Sequence, residues 1–527
     1  MKFIRHLAAT AATAALFIAI SLVAANVSAQ ESQSPQSQNA QSTQSTQSNQ
    51  GAQSGQGATQ QPVTCVSKEG ERQVCPADTS AGVVLVKSTG SAPCLLGKTW
   101  GYDDKSIWVS DGCAGDFIAG QVAQPPKGTG APGYVPNQGF KLYDGEKGQI
   151  YFRLFTYARY LNQRNTDATY TDSFGNTKNV QQRQDIQLNK FFSPFSGWFL
   201  TPKFRYYLYV WSQNPAQGQP AQVVGGGNIS YTFNRFVSVG AGITSLPSTR
   251  STEGQFPYWL GVDTRLMADE FFRGSYTQGV WLKGELQTKV KYMAMIANNL
   301  STLGVSSAQL NNKLDTQSYS VQWLPTTGEF GLWGTFGDYD WHEKAATRVG
   351  VHYTRSLEDK QSQPNTDGIE NTQIRLTDGS IVFTPDLFGP GISVEEVTYH
   401  MTSIDGGVKY HGLSVEGEYY RRWLTNFTGV NTTGLATITD NGYQMQTSAM
   451  AVPKILQGYV SWSQIFGHYG NPSDVRFGAS FYPVKTRGLR LNGELIKANH
   501  SPVGYGAYPL QVGMNGKVFH INLEMNF

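Results

Sequence analysis

The last nine residues of the chain, 519–527, alternate strictly between apolar and polar side chains. The apolar positions are Phe519, Ile521, Leu523, Met525 and Phe527, and the polar positions are His520, Asn522, Glu524 and Asn526. Because successive side chains of a strand point to opposite faces, this pattern predicts a strand with one apolar and one polar face. A strand of a soluble sheet and a strand of a membrane barrel both fit this pattern.

The same alternation recurs in many short segments between residues 148 and 497. In 203–210, for example, Phe204 and Leu208 oppose Lys203 and Arg205. Charges gather on one face and aliphatic or aromatic residues on the other, which a barrel with lipid outside and water inside explains. We therefore predict an all-β fold, a transmembrane antiparallel β-barrel. Its predicted pore-lining residues from this pattern are Arg153, Arg159, Lys203, Arg205, Arg348, Glu416, Glu418 and Arg422.

The length of the strand-rich region limits the size of the barrel. Residues 140–527, at roughly 22–26 residues per strand with half a hairpin, provide about 16 strands, with 16–18 as the range. Barrels of that width leave an aqueous channel. The composition agrees, since Gly (57), Tyr (27), Phe (27) and Trp (11) suit strands, turns and aromatic girdles. The net charge of +3 and the absence of a basic run argue against a nucleic-acid partner.

The N-terminus has the pattern of a secretory signal peptide. Lys2 and Arg5 precede an apolar run over 7–25, and Val27-Ser28-Ala29 offers a small-residue cleavage site. We predict a signal peptide over 1–29; an uncleaved anchor helix is the alternative, because the run is nearly long enough to span a bilayer. No later run reaches 18 apolar residues.

Three further regions precede the predicted barrel. Residues 30–62 are rich in Gln and Ser and predict a disordered linker. Residues 63–119 hold all four cysteines and predict a small β domain with two disulfides, formed in an oxidising compartment. Three pairings are open, and we favour Cys65–Cys113 with Cys75–Cys94. The spacings lack a C-x-x-C pair, so we predict no metal. Residues 120–139 predict a Pro/Gly hinge.

The cysteine-rich region resembles a small bacterial family of unknown function. The segments CPADTSAGVVLVKSTGSAPC and KTWGYDDKSIWVSDGCAGDF carry the resemblance. Trp100, Tyr102 and Trp108 could stack on a sugar, although aromatic residues in so small a domain more often form its core.

The barrel region resembles the phosphate-selective porin (O and P) superfamily. The resemblance covers most of 140–527 and rests on diffuse segments such as TRLMADEFFRGSYTQGVWLKGEL and DIQLNKFFSPFSGWFLTPKFRYYLYVW. It implies a 16-stranded barrel, commonly trimeric, with one loop folded into the lumen. By position 266–279 would be that loop, and the residues lining its narrowest part would be Asp269, Glu270, Arg273 and Tyr276. Because the predicted lumen carries both Arg and Glu, we do not carry phosphate over as the solute.

One cluster of carboxylate and histidine side chains has the composition of a catalytic or metal-binding site. In Gly337–Glu343, Asp338, Asp340 and His342 alternate and would share a strand face, where they could perform acid–base chemistry or bind a metal. No G-x-S-x-G element accompanies them. A polar rim or hairpin explains the same residues, so we predict neither catalysis nor a cofactor.

Together these features predict an outer-membrane porin, a passive channel for small hydrophilic solutes with a preference for anions. We expect a homotrimer in contact with outer-membrane lipid and lipopolysaccharide. The terminal Phe527 resembles the signal read by the barrel assembly machinery. The cysteine-rich domain is expected in the periplasm, where it could contact peptidoglycan. Two other function classes remain open: an anchoring protein whose N-terminal domain binds cell-wall glycan, and a barrel hydrolase.

Overall fold

The computed structural model describes residues 62–77, 79, 83–95, 98–103, 105–119, 133–135, 137–213, 222–253, 258–286, 289–301, 313–361, 374–504 and 508–527. The predicted signal peptide, nearly all of the linker and most of the hinge lie outside these residues. The chain forms two compact units that divide between Ala131 and Pro132. Among the described residues, no helix is long and apolar enough to cross a membrane.

The N-terminal unit consists of two three-stranded antiparallel sheets. One sheet has the order β1-β6-β3 and the other β2-β5-β4. Their bounds are β1 (Val63–Val66), β2 (Arg72–Pro76), β3 (Val83–Ser88), β4 (Trp100–Tyr102), β5 (Ser106–Ser110) and β6 (Ala114–Ala119). Cys65, Ile107, Cys113 and Phe117 form the centre of a fully buried core. This confirms the predicted small disulfide-bonded β region.

The favoured disulfide pairing is wrong. The bonds join Cys65 to Cys75 and Cys94 to Cys113. Cys65 and Cys75 lie on consecutive strands, with Cα atoms 5.9 Å apart, and the Cα atoms of Cys94 and Cys113 are 5.0 Å apart. Both separations lie in the range that a disulfide can bridge. The folding of the sheets thus brings each cysteine beside its neighbour in sequence, rather than nesting one bridge inside the other.

The second unit is a closed antiparallel β-barrel of 16 strands, as predicted. The first strand, β10, pairs with the last, β27, and thereby closes the sheet. The barrel strands are β10 (Phe155–Arg164), β13 (Gln184–Phe199), β14 (Thr201–Gln213), β15 (Gln222–Asn234), β16 (Val237–Ser245), β17 (Tyr276–Leu286), β18 (Val290–Ala297), β19 (Thr316–Trp323), β20 (Ala346–Asp359), β21 (Ser393–Tyr410), β22 (Leu413–Val430), β23 (Ile438–Val452), β24 (Leu456–Phe466), β25 (Ser473–Phe481), β26 (Leu489–Asn499) and β27 (Gly516–Asn526).

The C-terminal strand has the two faces that its sequence predicts. Leu523 is 41% exposed, whereas Glu524 is 3% exposed and His520 is fully buried. The apolar residues therefore face outwards and the polar residues face the lumen. The partner is β10, with Phe155 opposite Asn526. This pairing removes the free edges that an open sheet would expose.

The first alternating segment of the barrel region, residues 148–161, does not form one continuous strand. It divides into β9 (Gly148–Phe152) and β10, with Arg153 and Leu154 between them. Leu154 exchanges both backbone hydrogen bonds with Phe527, at the point where the barrel wall ends. Beyond that point β9 pairs with β8 (Gly139–Gly145), which pairs with β7 (Gly133–Val135). A short hairpin, β11 (Thr169–Thr171) with β12 (Thr177–Asn179), follows β10.

The two ends of the barrel differ in their connections. We call the end where β10 begins and β27 stops the near end, and the opposite end the far end. Far-end connections contribute apolar residues such as Leu376, Phe383 and Leu510, all at most 4% exposed, to a large cluster with lumen-facing residues of the strands. Part of the lumen is therefore packed like a protein core.

Candidate functional site

The connection between β16 and β17 enters the lumen where the structure describes it; we call its residues 246–253 and 258–275 the inward segment. It contains a helical turn at Arg250–Thr252 and a short helix, α1 (Met267–Phe272). Phe272 is fully buried and stacks on Tyr420 of β22, with ring centroids 5.1 Å apart. Residues 266–275 of the predicted loop belong to this segment, whereas 276–279, which include Tyr276, belong to β17.

The inward segment reaches walls on several sides of the barrel. Arg159 of β10 donates a hydrogen bond to the carbonyl of Val262 (2.7 Å), and Arg490 of β26 donates one to the carbonyl of Trp259 (2.8 Å). Lys190 of β13 forms an ion pair with Asp263 at 2.6 Å, with both side chains 2% exposed. The segment is thus attached to the wall by buried charges and polar bonds.

The strand residues predicted to line the pore face the lumen, and several of them are held in buried pairs. Arg348 binds Asp405 (2.6 Å) and Glu253 of the inward segment (2.5 Å). Arg422 binds Asp440 at 2.6 Å. Each of these arginines is at most 2% exposed. Their charges are therefore largely neutralised by neighbouring carboxylates.

Glu416 and Glu418 lie side by side on the lumen face of β22, at the inward segment. Glu416 binds the Arg250 guanidinium at 2.5 Å, and Glu418 accepts a hydrogen bond from the Tyr420 hydroxyl at 2.7 Å. On and beside α1, Asp269 accepts a hydrogen bond from Thr249 (3.1 Å), and Glu270 binds Arg273 at 2.7 Å. The predicted loop residues thus join the interior network, and their role in lining a pore remains a prediction.

A different part of the lumen wall, on β14, β17 and β18, carries cations without such partners. Lys203 and Arg205 share the lumen face of β14 with the buried Tyr209. Lys283 lies on the same face of β17 as Trp281, which is buried and points into the lumen. Lys291 of β18 lies opposite Glu285 of β17. All four cations are exposed, and within the described ranges none has a carboxylate within 4.0 Å. Our sequence analysis identified Lys203 and Arg205 but not Lys283 and Lys291.

Arg153 differs both from the ion-paired lumen arginines and from the exposed cations of β14, β17 and β18, because its side chain is hydrogen-bonded to neutral groups. It lies where β9 gives way to β10 and donates hydrogen bonds to Asn526 (2.8 Å) and to the Tyr258 hydroxyl (3.1 Å). Its guanidinium also lies 5.1 Å from the ring centroid of Trp333. These partners are neutral, so Arg153 retains its positive charge at the near end of the lumen.

The Gly337–Glu343 cluster is not a strand, so the predicted shared strand face is wrong. These residues lie in the connection between β19 and β20. His342 binds Asp338 through one ring nitrogen and Glu329 through the other, at 3.1 Å, while Asp340 binds Arg487 at 3.3 Å. The hydrogen bond that the His342 ring donates to the Asp338 carboxylate, reinforced by the one to Glu329, raises the pKa of His342 to about 9. Because both ring nitrogens are occupied, neither can take a proton from a nucleophile in this arrangement.

The aromatic residues of the N-terminal unit are mostly structural. Trp100 is 5% exposed and packs on Phe117 with ring centroids 4.9 Å apart. Trp108 lies against Gly101, where an added Cβ would approach the ring to 2.6 Å, and the Arg72 guanidinium lies 4.1 Å from its centroid. Tyr102 is the most exposed of the three, at 42%. No group of three or more metal-ligating side chains occurs within the described residues.

The N-terminal unit and the barrel resemble different known proteins. A family model described as a protein of unknown function (DUF3011) matches residues 42–135. This agrees with the resemblance of the cysteine-rich region. The comparison with proteins of curated function gives no match.

Several solved structures resemble the barrel. OmpT, an outer membrane protein of Vibrio cholerae in a trimer form, has 12% identity and a TM-score of 0.45, covering 72% of this chain and 100% of that one. An anion-selective porin from Comamonas acidovorans has 8% identity and a TM-score of 0.45, with the same coverage. The outer membrane channel DcaP of Acinetobacter baumannii has 8% identity, a TM-score of 0.42, and coverage of 72% and 98%. Because these sequence identities and TM-scores are low, the fold assignment rests on the strand pairing of this chain itself.

Proposed function

We propose that the protein is an outer-membrane porin, a passive and non-enzymatic diffusion channel for small hydrophilic solutes that prefers anions. A closed barrel with an apolar exterior and a polar lumen supports the location, because lipid requires paired backbone groups and an apolar outer face. We further propose a homotrimer that contacts lipopolysaccharide and is inserted by the barrel assembly machinery. The phosphate-selective family remains our hypothesis for its origin.

The unpaired cations on β14, β17 and β18 carry the anion preference. Buried cations such as Arg348 and Arg422 have carboxylate partners, so they contribute little net field. Arg205 and Lys283 instead face the lumen without an ion pair among the described residues. Lys291 faces the lumen opposite Glu285, without an ion-pair contact within 4.0 Å. A cationic wall lowers the electrostatic barrier for anions and raises it for cations.

Charge reversal at these positions tests the preference. We expect Lys283→Glu with Lys291→Glu to shift the reversal potential in a salt gradient towards cation selectivity. The matched control is Lys360→Gln, which removes a charge from the exposed pair with Glu395 (3.5 Å) and should leave the reversal potential unchanged. An unchanged reversal potential in the double variant would contradict the proposed role of these lysines.

A second candidate function is structural, and the packed part of the lumen favours it. Apolar and ion-paired segments fill much of the barrel, as they would in a protein that need not conduct. In that case the N-terminal domain, residues 63–119, would bind peptidoglycan from the periplasm. A peptidoglycan pull-down with and without residues 63–119, combined with absent conductance, would favour this function over the channel.

A further inference from the structure

One connection at the near end is much longer than its neighbours. β21 ends at Tyr410 and β22 begins at Leu413, and β13 and β14 are separated by Leu200 alone. Residues 324–345, in contrast, separate β19 from β20; we call them the near-end segment. Short turns suffice to connect antiparallel strands, so the extra length needs another explanation.

The near-end segment folds into the lumen. Thr335 and Asp338 are fully buried, and Phe336 is 6% exposed. The lumen wall holds its backbone directly: Lys409 of β21 donates a hydrogen bond to the carbonyl of Phe330 at 2.9 Å. Asp338 in turn accepts a hydrogen bond from the Gly412 N–H at 2.7 Å.

The segment extends across the barrel. It leaves the wall beside β20, the ninth barrel strand in order, and its Trp333 reaches Arg153 beside β10, the first. In a closed barrel of 16 strands, the first and ninth strands face each other across the lumen. The segment therefore spans the near end of the lumen from wall to wall.

The near-end segment meets the inward segment, which enters from the far end. The Phe336 N–H donates a hydrogen bond to the Tyr258 carbonyl (3.4 Å), and the Arg250 guanidinium donates one to the Thr335 carbonyl (3.4 Å). The same guanidinium lies 4.4 Å from the Phe336 ring centroid. Two chain segments from opposite ends thus contact each other inside one barrel.

Glu416 holds both segments with one carboxylate. Its Oε2 accepts a hydrogen bond from Arg250 of the inward segment at 2.5 Å, and its Oε1 accepts one from the Gly337 N–H of the near-end segment at 2.9 Å. Inside the near-end segment, His342 joins Asp338 to Glu329 and ties its two ends together. The Glu329–His342 contact therefore closes the segment into a loop between β19 and β20.

We infer that the near-end segment is a gate, which narrows the near end of the lumen while it is held by Glu416 and by its own His342 bonds and widens it on release. The inference rests on the proposed channel function. Hydrogen bonds and the shared carboxylate hold the segment together with small, separate apolar clusters around Phe336 and Tyr339. Separate contacts of this kind open more readily than a continuous apolar core.

Conductance is the first test. In the full chain, residues 326–344 are replaced by Asn-Gly, a two-residue sequence that suits a hairpin connection. We expect a larger unitary conductance in planar bilayers than in the parent protein, whereas Lys360→Gln should match the parent. Equal unitary conductance in the shortened and parent proteins would overturn the gate.

Thiol labelling tests release of the segment without requiring conduction and without shortening the chain. Thr335→Cys introduces a buried free thiol, because all four native cysteines are paired. We expect His342→Ala to raise its labelling rate by about tenfold, as loss of a charge-assisted hydrogen bond would, and Glu395→Gln to leave it unchanged. An unchanged rate in the His342 variant would overturn the gate. Faster labelling with no conductance in any variant would instead contradict the channel function.

Discussion

The ion pair between Lys190 and Asp263 offers a direct test of how the inward segment is held. It joins β13 to the segment at 2.6 Å, and both side chains are 2% exposed. We predict that Asp263→Asn strongly destabilises the barrel. Asn is the suitable replacement because Asp263 has φ = 50°, a conformation that Asn tolerates and that larger residues resist.

The magnitude follows from burial. At an effective dielectric constant of about 20, two charges at this distance attract by roughly 6 kcal/mol, much of which offsets the cost of removing both from water. Asp263→Asn removes one charge of this buried pair while the Lys190 ammonium stays buried, and breaking a buried ion pair from one side typically costs about 3–5 kcal/mol. Replacing both residues, as Lys190→Met with Asp263→Asn, removes the stranded charge and should recover most of that loss.

The assay is equilibrium urea unfolding of the barrel refolded in detergent micelles, followed by tryptophan fluorescence. The control, Lys360→Gln, removes an exposed pair and should cost about 0–1 kcal/mol. If Asp263→Asn lowers the free energy of unfolding no more than this control does, the Lys190–Asp263 pair is hydrated and the lumen around it is not packed as described. That result would also remove the reason for expecting rescue by the double variant.

Three further predictions concern packing, lipid contact and pH. Phe272→Ala should cost about 3–5 kcal/mol in urea unfolding because it empties the buried stack on Tyr420; a cost below about 1 kcal/mol would contradict that packing. Leu523→Arg places a charge on the outer face of β27 and should cost roughly 2–4 kcal/mol in lipid vesicles if it lies at mid-depth, whereas folding equal to the parent would argue against lipid there. The raised pKa of His342, about 9, means that its bonds stabilise the near-end segment fully below about pH 6.5 and are lost as the pH rises through 9. The ratio of the Thr335→Cys labelling rates with and without His342→Ala, from which the ionisation of the thiol itself cancels, should accordingly fall from about tenfold at pH 6.5 towards one above pH 9, and a constant ratio from pH 6.5 to 10 would contradict this.

The fold could be predicted because period-two alternation directly reports two faces in different solvents. Leu523 outside and Glu524 inside follow from that pattern alone. Strand number followed from chain length, and the inward segment from the family resemblance. Closure by β10 was predictable in outline, but the break at Arg153 was not, because alternation continues through it.

Other features depend on contacts that a single sequence does not contain. The disulfide pairing is set by sheet order, and the spacing of four cysteines does not encode it. The Gly337–Glu343 cluster alternates like a strand, yet Asp338 turns inward to accept the Gly412 N–H. Arg348 and Arg205 appear equivalent as lumen cations in the sequence, but of the two only Arg348 has close carboxylates among the described residues, one of them from a distant segment. A list of lumen charges therefore cannot separate paired residues from those that act on a solute.

Single-channel recording of the purified full chain in a planar bilayer tests the central claim most directly. We predict discrete conductance steps and, in a salt gradient, a reversal potential that favours anions, because Arg205, Lys283 and Lys291 face the lumen without an ion pair among the described residues. A folded barrel that inserts into the bilayer but yields no conductance steps would contradict the channel function. Steps with a cation-favouring reversal potential would contradict the account of the lumen charges.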